Sequence, residues 1–342
     1  MDSGKESPYP WKGENKIIDQ REKGDGLNLN KGKYVMSNIE FDVLIDKREG
    51  LKFHSYDLLR NFHHANAIPL LDYYYQADKF GRLVIPKVHF SFQSWFEKEG
   101  KNLLFDEMGH MTVMLENMII EYCDLVESLL KKKLIIKNFD MDNVFVNVYV
   151  GVPTLCVLLT EVTEVECIGV QDRNLAWDCP RKLMVWCENQ CDIKMDKLTK
   201  RFCNFLGKSN CNVRKLKKYP HNWDDVTKGE YLMSLVDSNH SQMRFLLNDS
   251  GLTWPFSENL PQRSDNLPEL LQAILDWDEL ERNVGHNILD FFSYVIVLRN
   301  CYKHFEDLPK KIKDKLISRK TLIEYIELWQ SDFWIKVYER LG

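Results

Sequence analysis

Apolar residues are concentrated in two long stretches whose patterns predict helices. In the first, from about Met114 to Lys132, apolar side chains recur every three or four positions and would line one face of a helix. The second runs from Ile288 to His304 and is mostly apolar, with its charges gathered towards the end. The sequence NLPELLQAILDW predicts a third helix, with Asp265 or Asn266 as its cap.

The first 30 residues differ from the rest of the chain because they hold many charges, with Gly and Pro but few aliphatic side chains. This composition predicts a mobile N-terminal arm over residues 1–30. The whole chain is 44% hydrophobic and 28% charged, which is ordinary globular usage, and its 342 residues are enough for two domains with cores. No apolar run approaches the roughly 20 residues that cross a bilayer, and the N-terminus has no signal-peptide core. We therefore expect a cytoplasmic protein with no membrane partner.

The nine cysteines favour free thiols, because their number is odd and the chain carries no secretory signal. Cys187 and Cys191, with Cys203, Cys211 and His221 downstream, leave a zinc site open as an alternative. Their spacing fits no common zinc finger, so we predict no metal site.

A polar cluster near the end of the second predicted helix carries the most informative chemistry. Helical spacing brings Asn300 towards His304 and Arg299 towards Tyr302. Arginine offers a fork of donors for phosphate oxygens, asparagine adds neutral donors, and histidine can pass a proton near neutral pH. Such a set can cleave RNA without a metal, because the 2′-hydroxyl is itself the nucleophile. The alternative is a helix C-terminus whose cations complement the helix dipole.

This cluster, followed by Leu308 and Pro309, resembles the kinase-extension nuclease domain shared by ribonuclease L and the inositol-requiring enzyme of the unfolded protein response. That family has an Arg-Asn pair, a His five residues after the Arg, and then a Leu-Pro pair, and this chain has all of them. The resemblance implies an all-α nuclease domain over residues 221–342. It also implies that Arg299, Asn300 and His304 are catalytic, and that two copies must dimerise to become active.

Other positions of the family pattern are kept or replaced. The upstream Trp is present as Trp277, which with Tyr302 is a candidate for substrate binding. The family often has a proton-accepting Tyr 13 residues before the Arg, and His286 stands there. An imidazole can also act as a base, so His286 is a catalytic candidate. The family Asp six residues before the Arg is replaced by Ser293, and Asp290 is the acid one helical turn earlier.

A lysine-rich stretch follows the cluster, between residues 310 and 320. Lys310, Lys311 and Lys313 are candidates for binding an RNA backbone beside His304. The formal net charge of the chain is −5, so this expectation rests on local charge alone. The alternative is a lysine-rich helix surface that is simply solvated.

The sequence upstream resembles the protein-kinase domain that precedes the nuclease in this family. The stretch FHHANAIPLLDYYYQADKFGRLVIP resembles the kinase segment from helix C through strands four and five to the hinge. SFQSWFEKEG resembles the first helix of the large lobe. The resemblance implies an α+β bilobal pseudokinase domain over residues 31–220, with a small lobe at 33–90 and a large lobe at 91–220.

Most residues that a kinase needs for phosphoryl transfer are replaced. Where kinases have His-Arg-Asp this chain has Ile-Lys-Asn, ending in Asn138, and an amide cannot usefully accept a proton. The Asp-Phe-Gly triplet and the Gly-rich loop are missing as well. Lys47, Asn143 and Glu161 are the remaining nucleotide-binding candidates, which leaves ATP or ADP with Mg²⁺ open as a regulatory ligand and an empty cleft as the alternative. We expect no protein-kinase activity.

Two functions are compatible with this sequence. The first is an endoribonuclease that cleaves single-stranded or loop RNA by metal-independent attack of the 2′-hydroxyl, needs no cofactor and is controlled by a dimerising pseudokinase domain. In it His286 is the base and His304 the acid. The alternative is a catalytically inactive pseudokinase and pseudo-nuclease that serves as a regulatory partner or an RNA-binding module. The expected partners are RNA and a homodimer or a heterodimer with a related kinase-nuclease.

Overall fold

The computed structural model describes residues 16–23, 29–36, 39–46, 53–75, 81–136, 138–208, 211–235, 240–248, 268–283, 285–286 and 290–341. The chain divides into two compact units, Met1–Lys217 and Lys218–Gly342, which we call unit 1 and unit 2. This division lies three residues before the boundary expected from the sequence, between residues 220 and 221.

Unit 1 begins with an antiparallel sheet that has five strands within the described ranges, in the order β1-β2-β3-β5-β4. Helix α1, Phe53–Leu59, follows β3 and precedes β4 in sequence. Residues 16–23, which we expected within a mobile arm, instead form the edge strand β1. Their ladder with β2 satisfies backbone groups of this charged segment, which its composition does not reveal. The strands are β1 Lys16–Lys23, β2 Asn30–Met36, β3 Ile39–Asp46, β4 Asp72–Tyr75 and β5 Gly81–Pro86.

Burial in this sheet is concentrated in β3 and β5. Ile45, Val84 and Ile85 have no exposed surface. Residues 81–85 are buried without interruption, as in a strand that is covered on both faces. The sheet and helix α1 are the described elements of the chain before residue 87, and the small lobe over residues 33–90 stays a prediction.

The rest of unit 1 is mainly helical. Helix α3 matches the predicted amphipathic helix, and the Thr112 side chain caps it by accepting from the backbone N–H of Leu115. The stretch CENQCDIKMDKLTKRFCNFL, residues 187–206, is helical by its sequence pattern. In the structure this pattern is broken at residues 191–196, because Asp196 caps a new helix there. The elements are α2 Phe92–Lys98, α3 Val113–Lys131, α4 Val170–Gln190, α5 Lys197–Leu206 and α6 Val213–Leu216, with strands β6 Phe90–Ser91, β7 Leu134–Ile136, β8 Val144–Tyr149, β9 Val152–Val157 and β10 Val162–Glu164.

The described residues of unit 2 are mainly helical. Helix α10 runs through the core, and Phe291, Tyr294, Val295, Leu298 and Cys301 have no exposed surface. It is therefore covered around most of its circumference, as expected for a helix that is apolar on nearly every side. The helices are α7 Asp225–Ser234, α8 His240–Asn248, α9 Glu269–Arg282, α10 Phe291–Lys303, α11 Lys310–Leu316, α12 Arg319–Trp329 and α13 Phe333–Leu341.

The predicted limits of these helices differ slightly from the observed ones. Helix α10 begins three residues later than predicted, after Asp290, whose side chain accepts from the backbone N–H of Phe292. His304 stands at its C-cap. Pro268 precedes α9, while Asp265 and Asn266 lie outside the described residues. None of the described helices combines the length and the apolar character that crossing a membrane needs.

Candidate active site in unit 2

A buried carboxylate, Asp278, joins two of the predicted catalytic residues. Asp278 lies on α9 and has no exposed surface. The His286 Nε2 atom lies 2.8 Å from Asp278 Oδ2, and Asn300 Nδ2 donates to the same oxygen over 3.2 Å. Arg282 Nε, one turn further along α9, donates to Asp278 Oδ1 over 2.9 Å. We call Asp278, Arg282, His286 and Asn300 the Asp278 cluster.

The Asp278 cluster keeps this carboxylate charged despite its burial. Burial alone raises the pKa of the Asp278 carboxyl, but the hydrogen bonds from His286, Asn300 and Arg282 outweigh it and hold the pKa below its usual value. An ionised carboxylate only accepts hydrogen bonds, so Nε2 of His286 carries the proton in this contact. When His286 is neutral, its Nδ1 atom keeps a lone pair that can take up a proton.

Arg299 and Asn300 lie on α10, and both are largely buried, with 9% and 3% of their surface exposed. Arg299 Nη1 donates to Asn300 Oδ1 over 3.2 Å, and the amide of Asn300 donates in turn to Asp278. A single chain of hydrogen bonds therefore connects Arg299, Asn300 and Asp278 to His286. It brings together three of the four residues that the sequence predicts to be catalytic.

The fourth predicted catalytic residue, His304, lies one turn beyond Asn300, where α10 ends. Its backbone N–H donates to the Asn300 carbonyl oxygen over 2.9 Å. Its Nδ1 atom lies 3.3 Å from Asp307 Oδ2, and 34% of the side chain is exposed, compared with 6% for His286. His304 is thus the more accessible of the two imidazoles and can exchange a proton with a molecule bound at the surface.

The two aromatic candidates for substrate binding occupy different environments. Trp277 is buried in the hydrophobic core of unit 2. Tyr302 is partly buried against the same core, and its hydroxyl lies directly over Gly229 on α7. Packing explains the positions of both side chains, and their contact with an RNA nucleobase stays a prediction.

The lysines expected to bind an RNA backbone lie on α11, close to acidic residues. Lys311 Nζ lies 3.8 Å from Glu269, and Lys313 Nζ donates to the backbone carbonyl of Glu306. Lys310 is exposed. Exposed ion pairs of this kind contribute little to stability, so they do not by themselves prevent the lysines from exchanging Glu269 for a phosphate. Their role in RNA binding stays a prediction.

Asp290 does not take the place of the family Asp near Arg299. Its Oδ2 atom accepts from Arg244 Nε over 2.9 Å and from Ser293 Oγ over 3.1 Å, at the beginning of α10. Nine residues of helix separate it from Arg299, which corresponds to about 13 Å along the axis. The acid that accompanies Arg299 and Asn300 is instead Asp278, contributed by α9.

Asp278 and Arg282 are functional candidates that were not predicted from the sequence. They lie four residues apart on a predicted helix, which is the spacing of a helical ion pair, and Asp278 directly follows Trp277. This spacing was available as a signal. The contact with His286 was not, because it depends on the path of the chain between α9 and α10.

The two nucleotide-binding candidates of unit 1 that the structure describes, Asn143 and Glu161, each have a polar side-chain partner. Asn143 Nδ2 donates to Thr160 Oγ1 over 3.0 Å, while Asn138 Nδ2 donates to Glu161 Oε2 over 2.7 Å. Asn143 is buried and Glu161 is exposed. Thr160 is thus a side-chain partner of Asn143, and the nucleotide-binding roles of Asn143 and Glu161 stay a prediction. Lys47 lies outside the described residues.

ATP or ADP with Mg²⁺ as a ligand of these residues stays a prediction. Magnesium prefers carboxylate oxygens, phosphates and water in an octahedral arrangement. The Thr160 side chain that accepts from Asn143 offers a neutral hydroxyl, and the Glu161 carboxylate is hydrogen-bonded to Asn138.

Comparison with known proteins gives structural similarities but no family match. No family model and no curated protein matches this chain. The chain is similar to a solved structure of Rad53 1–466 in complex with AMP-PNP, at 10% sequence identity and a TM-score of 0.43. The similarity covers 60% of this chain and 65% of that one, so this chain spans less than two thirds of the Rad53 chain. We rest no argument on it.

The order of elements in unit 1 is itself kinase-like. An antiparallel sheet carries one helix between its third and fourth strands, and a mainly helical part follows. Unit 1 has a protein-kinase-like fold in this sense.

Proposed function

We propose that this chain is an endoribonuclease-like protein that cleaves single-stranded or loop RNA by attack of the 2′-hydroxyl, without a metal. The observation that carries the proposal is the 2.8 Å contact between His286 and Asp278, connected through Asn300 to Arg299. It places an oriented imidazole in one network with an arginine. His304, one turn further along α10, supplies a second and more exposed imidazole.

His286 takes the proton from the 2′-hydroxyl in this mechanism. Asp278 is a positioning residue, since its carboxylate accepts from Nε2 and leaves Nδ1 to receive the proton. A general base that is held in this way contributes about 10²–10⁴-fold to the rate of a proton-transfer step.

His304 donates a proton to the 5′-oxygen as the bond between phosphorus and that oxygen breaks. The new bond joins the 2′-oxygen to phosphorus, and the electron pair of the broken bond goes to the 5′-oxygen. Arg299 and Asn300 stabilise the negative charge on the crowded phosphate. The products are a 2′,3′-cyclic phosphate and a 5′-hydroxyl, and the proton gained by His286 balances the one lost by His304.

The kinase-like unit serves as a dimerising regulator in this proposal, and it transfers no phosphate. An amide, Asn138, stands where a kinase has its catalytic carboxylate, and it is hydrogen-bonded to Glu161. The partners are RNA and either a second copy of this chain or a related kinase-nuclease. We expect the rate of cleavage to rise steeply with protein concentration.

The test is to incubate the full chain with a structured RNA that has single-stranded loops, in the presence of a chelator and at several protein concentrations. His304→Ala should abolish cleavage. His110→Ala is the matched control, because His110 is also an exposed imidazole paired with an aspartate, Asp106, but lies in unit 1. Cleavage that stops on adding chelator, or that survives in His304→Ala, would contradict the mechanism.

A second candidate function is a non-catalytic partner of a related nuclease. The burial of Asn300 and Arg299 favours it, because a phosphate could reach these side chains only if their present contacts opened. In this case the chain alone is inert at every concentration. Mixed with an active relative, it changes the cleavage rate of that relative, whether or not His304 is present.

A further inference from the structure

The side chain of Arg319 lies against the turn that carries His304. Arg319 Nε donates to the backbone carbonyl oxygen of Tyr302 over 3.0 Å. Its guanidinium carbon lies 5.9 Å from the centre of the Tyr302 ring and 5.5 Å from the centre of the Phe305 ring. Arg319 is the first residue of α12, so these contacts connect α12 to the end of α10.

The contacts of Arg319 lie on both sides of His304 in the sequence. Besides Tyr302 and Phe305, the Arg319 Nη1 atom lies 3.4 Å from the carboxylate of Glu306. The last carbonyl groups of a helix have no partner within the helix, and a cation that donates to them is favourable there. The planar fork of arginine can donate to a carbonyl, pair with a carboxylate and stack on rings at once, which lysine cannot do.

Tyr302 is held from its other side by α7. A Cβ atom added at Gly229 would lie 2.0 Å from the Tyr302 hydroxyl oxygen, so the ring fits only because residue 229 has no side chain. The Tyr302 ring is therefore close both to the backbone of α7 and to the guanidinium of Arg319. His304 follows two residues later, at the C-cap of α10. The contacts of Tyr302 with α7 and with Arg319 therefore restrict the backbone just before His304.

We infer that Arg319 is a positioning residue for His304, acting through Tyr302, Phe305 and Glu306, with Gly229 providing the space that Tyr302 needs. The inference rests on the proposed function in that His304 is the acid of the reaction. Arg319 would touch no reacting atom, but it would fix the direction of the His304 imidazole. A displacement of about 1 Å in a catalytic group can lower a rate by on the order of 100-fold.

The competing interpretation is that Arg319 binds the RNA backbone directly, because it lies in the lysine-rich stretch. The two roles differ in their kinetic effect. Loss of a phosphate contact raises KM and lowers the salt dependence of binding by about one counterion. Loss of a positioning contact lowers kcat and leaves both KM and the salt dependence unchanged.

The experiment compares Arg319→Ala with Lys320→Ala in the full chain. Lys320 is the matched control, because it is the adjacent exposed cation and pairs with Asp225 and Glu324 instead of the turn. We expect kcat of Arg319→Ala to fall about tenfold or more at unchanged KM, with Arg319→Lys restoring little of it and Lys320→Ala retaining wild-type kcat. A rise in KM with unchanged kcat would overturn the inference.

A second measurement does not depend on cleavage. The ring signals of His304 are followed by NMR in protein with labelled histidine, assigned through His304→Ala. They should shift in Arg319→Ala and in Gly229→Ala and stay in place in Lys320→Ala. His304 signals that coincide in Arg319→Ala and wild type would overturn the inference even if the protein cleaves RNA. An inert wild type would refute the proposed function, and the ring signals would still decide whether Arg319 holds His304.

Discussion

A single carboxylate, Asp278, accepts hydrogen bonds from three side chains that come from different parts of unit 2. Removing one partner of a buried charged network leaves the others without compensation. We therefore expect Asp278→Asn to lower the free energy of unfolding at neutral pH by about 3–5 kcal/mol. Urea unfolding followed by tryptophan fluorescence measures it. Asp276→Asn, an exposed position on the same helix that accepts only from Gln272 among the described contacts, should change it by less than about 0.5 kcal/mol.

The loss of stability in Asp278→Asn should depend on pH in a defined direction. The pKa of Asp278 is lowered in the folded protein, so its stabilisation is complete above the unfolded value of about 3.9 and is lost as the pH falls through the folded value. The stability difference between wild type and Asp278→Asn should thus be largest above about pH 5 and shrink below about pH 4. A difference that stays constant down to pH 3 would show that the charge of Asp278 does not matter.

Replacing Ser293 by aspartate tests whether this chain tolerates the carboxylate that the kinase-extension nuclease family has at this position. Its Oγ atom donates to Asp290 Oδ2, so a carboxylate at position 293 would face a second carboxylate in a buried environment. We expect Ser293→Asp to lower the free energy of unfolding by about 1–3 kcal/mol and not to increase RNA cleavage. The Ser293→Asn side chain has the same shape as aspartate but can donate a hydrogen bond to Asp290. Its free energy of unfolding should therefore remain near that of the wild type. Increased cleavage in the Asp variant, without loss of stability, would refute this account.

At the scale of elements, the sequence predicted well where one periodic pattern decides the structure. Helices α3 and α10 appear close to their predicted limits, because each has enough apolar residues to bury a face. Prediction failed where a local contact overrides the pattern: Asp196 caps a new helix inside a helical pattern, and pairing with β2 turns residues 16–23 into a strand. The Asp278 cluster was only half predictable, since helical spacing gives Arg282 and Asp278 but not the return of His286 to α9.

The loop that precedes α3 is anchored to α5 through a glycine. Gly109 has a φ of +82°, its carbonyl oxygen accepts from Asp196 N over 3.0 Å, and an added Cβ would lie 2.0 Å from the carbonyl oxygen of Lys194. Both the left-handed backbone and the clash with a main-chain atom oppose a side chain. We expect Gly109→Ala to lower the free energy of unfolding of unit 1 by about 2–4 kcal/mol, measured by thermal and urea unfolding.

The control for Gly109 is Gly151, in the turn between β8 and β9. Its φ is +78°, and an added Cβ would meet nothing within 4 Å. Gly151→Ala therefore has the backbone strain without the clash and should cost only about 1 kcal/mol. Equal losses in the two variants would mean that the contact between the loop and α5 contributes nothing beyond the strain.

At the scale of the whole molecule, the two units differ in how many of their predicted functional residues are connected by hydrogen bonds. Unit 2 has the predicted arginine, asparagine and base connected through one carboxylate. Unit 1 has a kinase-like fold in which Asn143 donates to the Thr160 hydroxyl and the Asn138 amide donates to the Glu161 carboxylate. A fold can persist without its usual chemistry, because packing maintains the fold while a few side chains carry the reaction.

We expect unit 1 to be inactive in phosphate transfer, whether or not unit 2 supports RNA cleavage. Incubated with radiolabelled ATP and Mg²⁺, the full chain should transfer no phosphate to itself or to a protein substrate. Asn138→Asp should not restore transfer, because the new carboxylate would face Glu161 across what is now a 2.7 Å hydrogen bond, and because Thr160 still offers no carboxylate beside Asn143. Asn138→Asp combined with Glu161→Gln removes the repulsion and should be equally inactive, while its RNA cleavage remains at the wild-type rate. Phosphate transfer by the wild type or by either variant would mean that unit 1 organises a metal nucleotide in a way that its side-chain contacts do not predict.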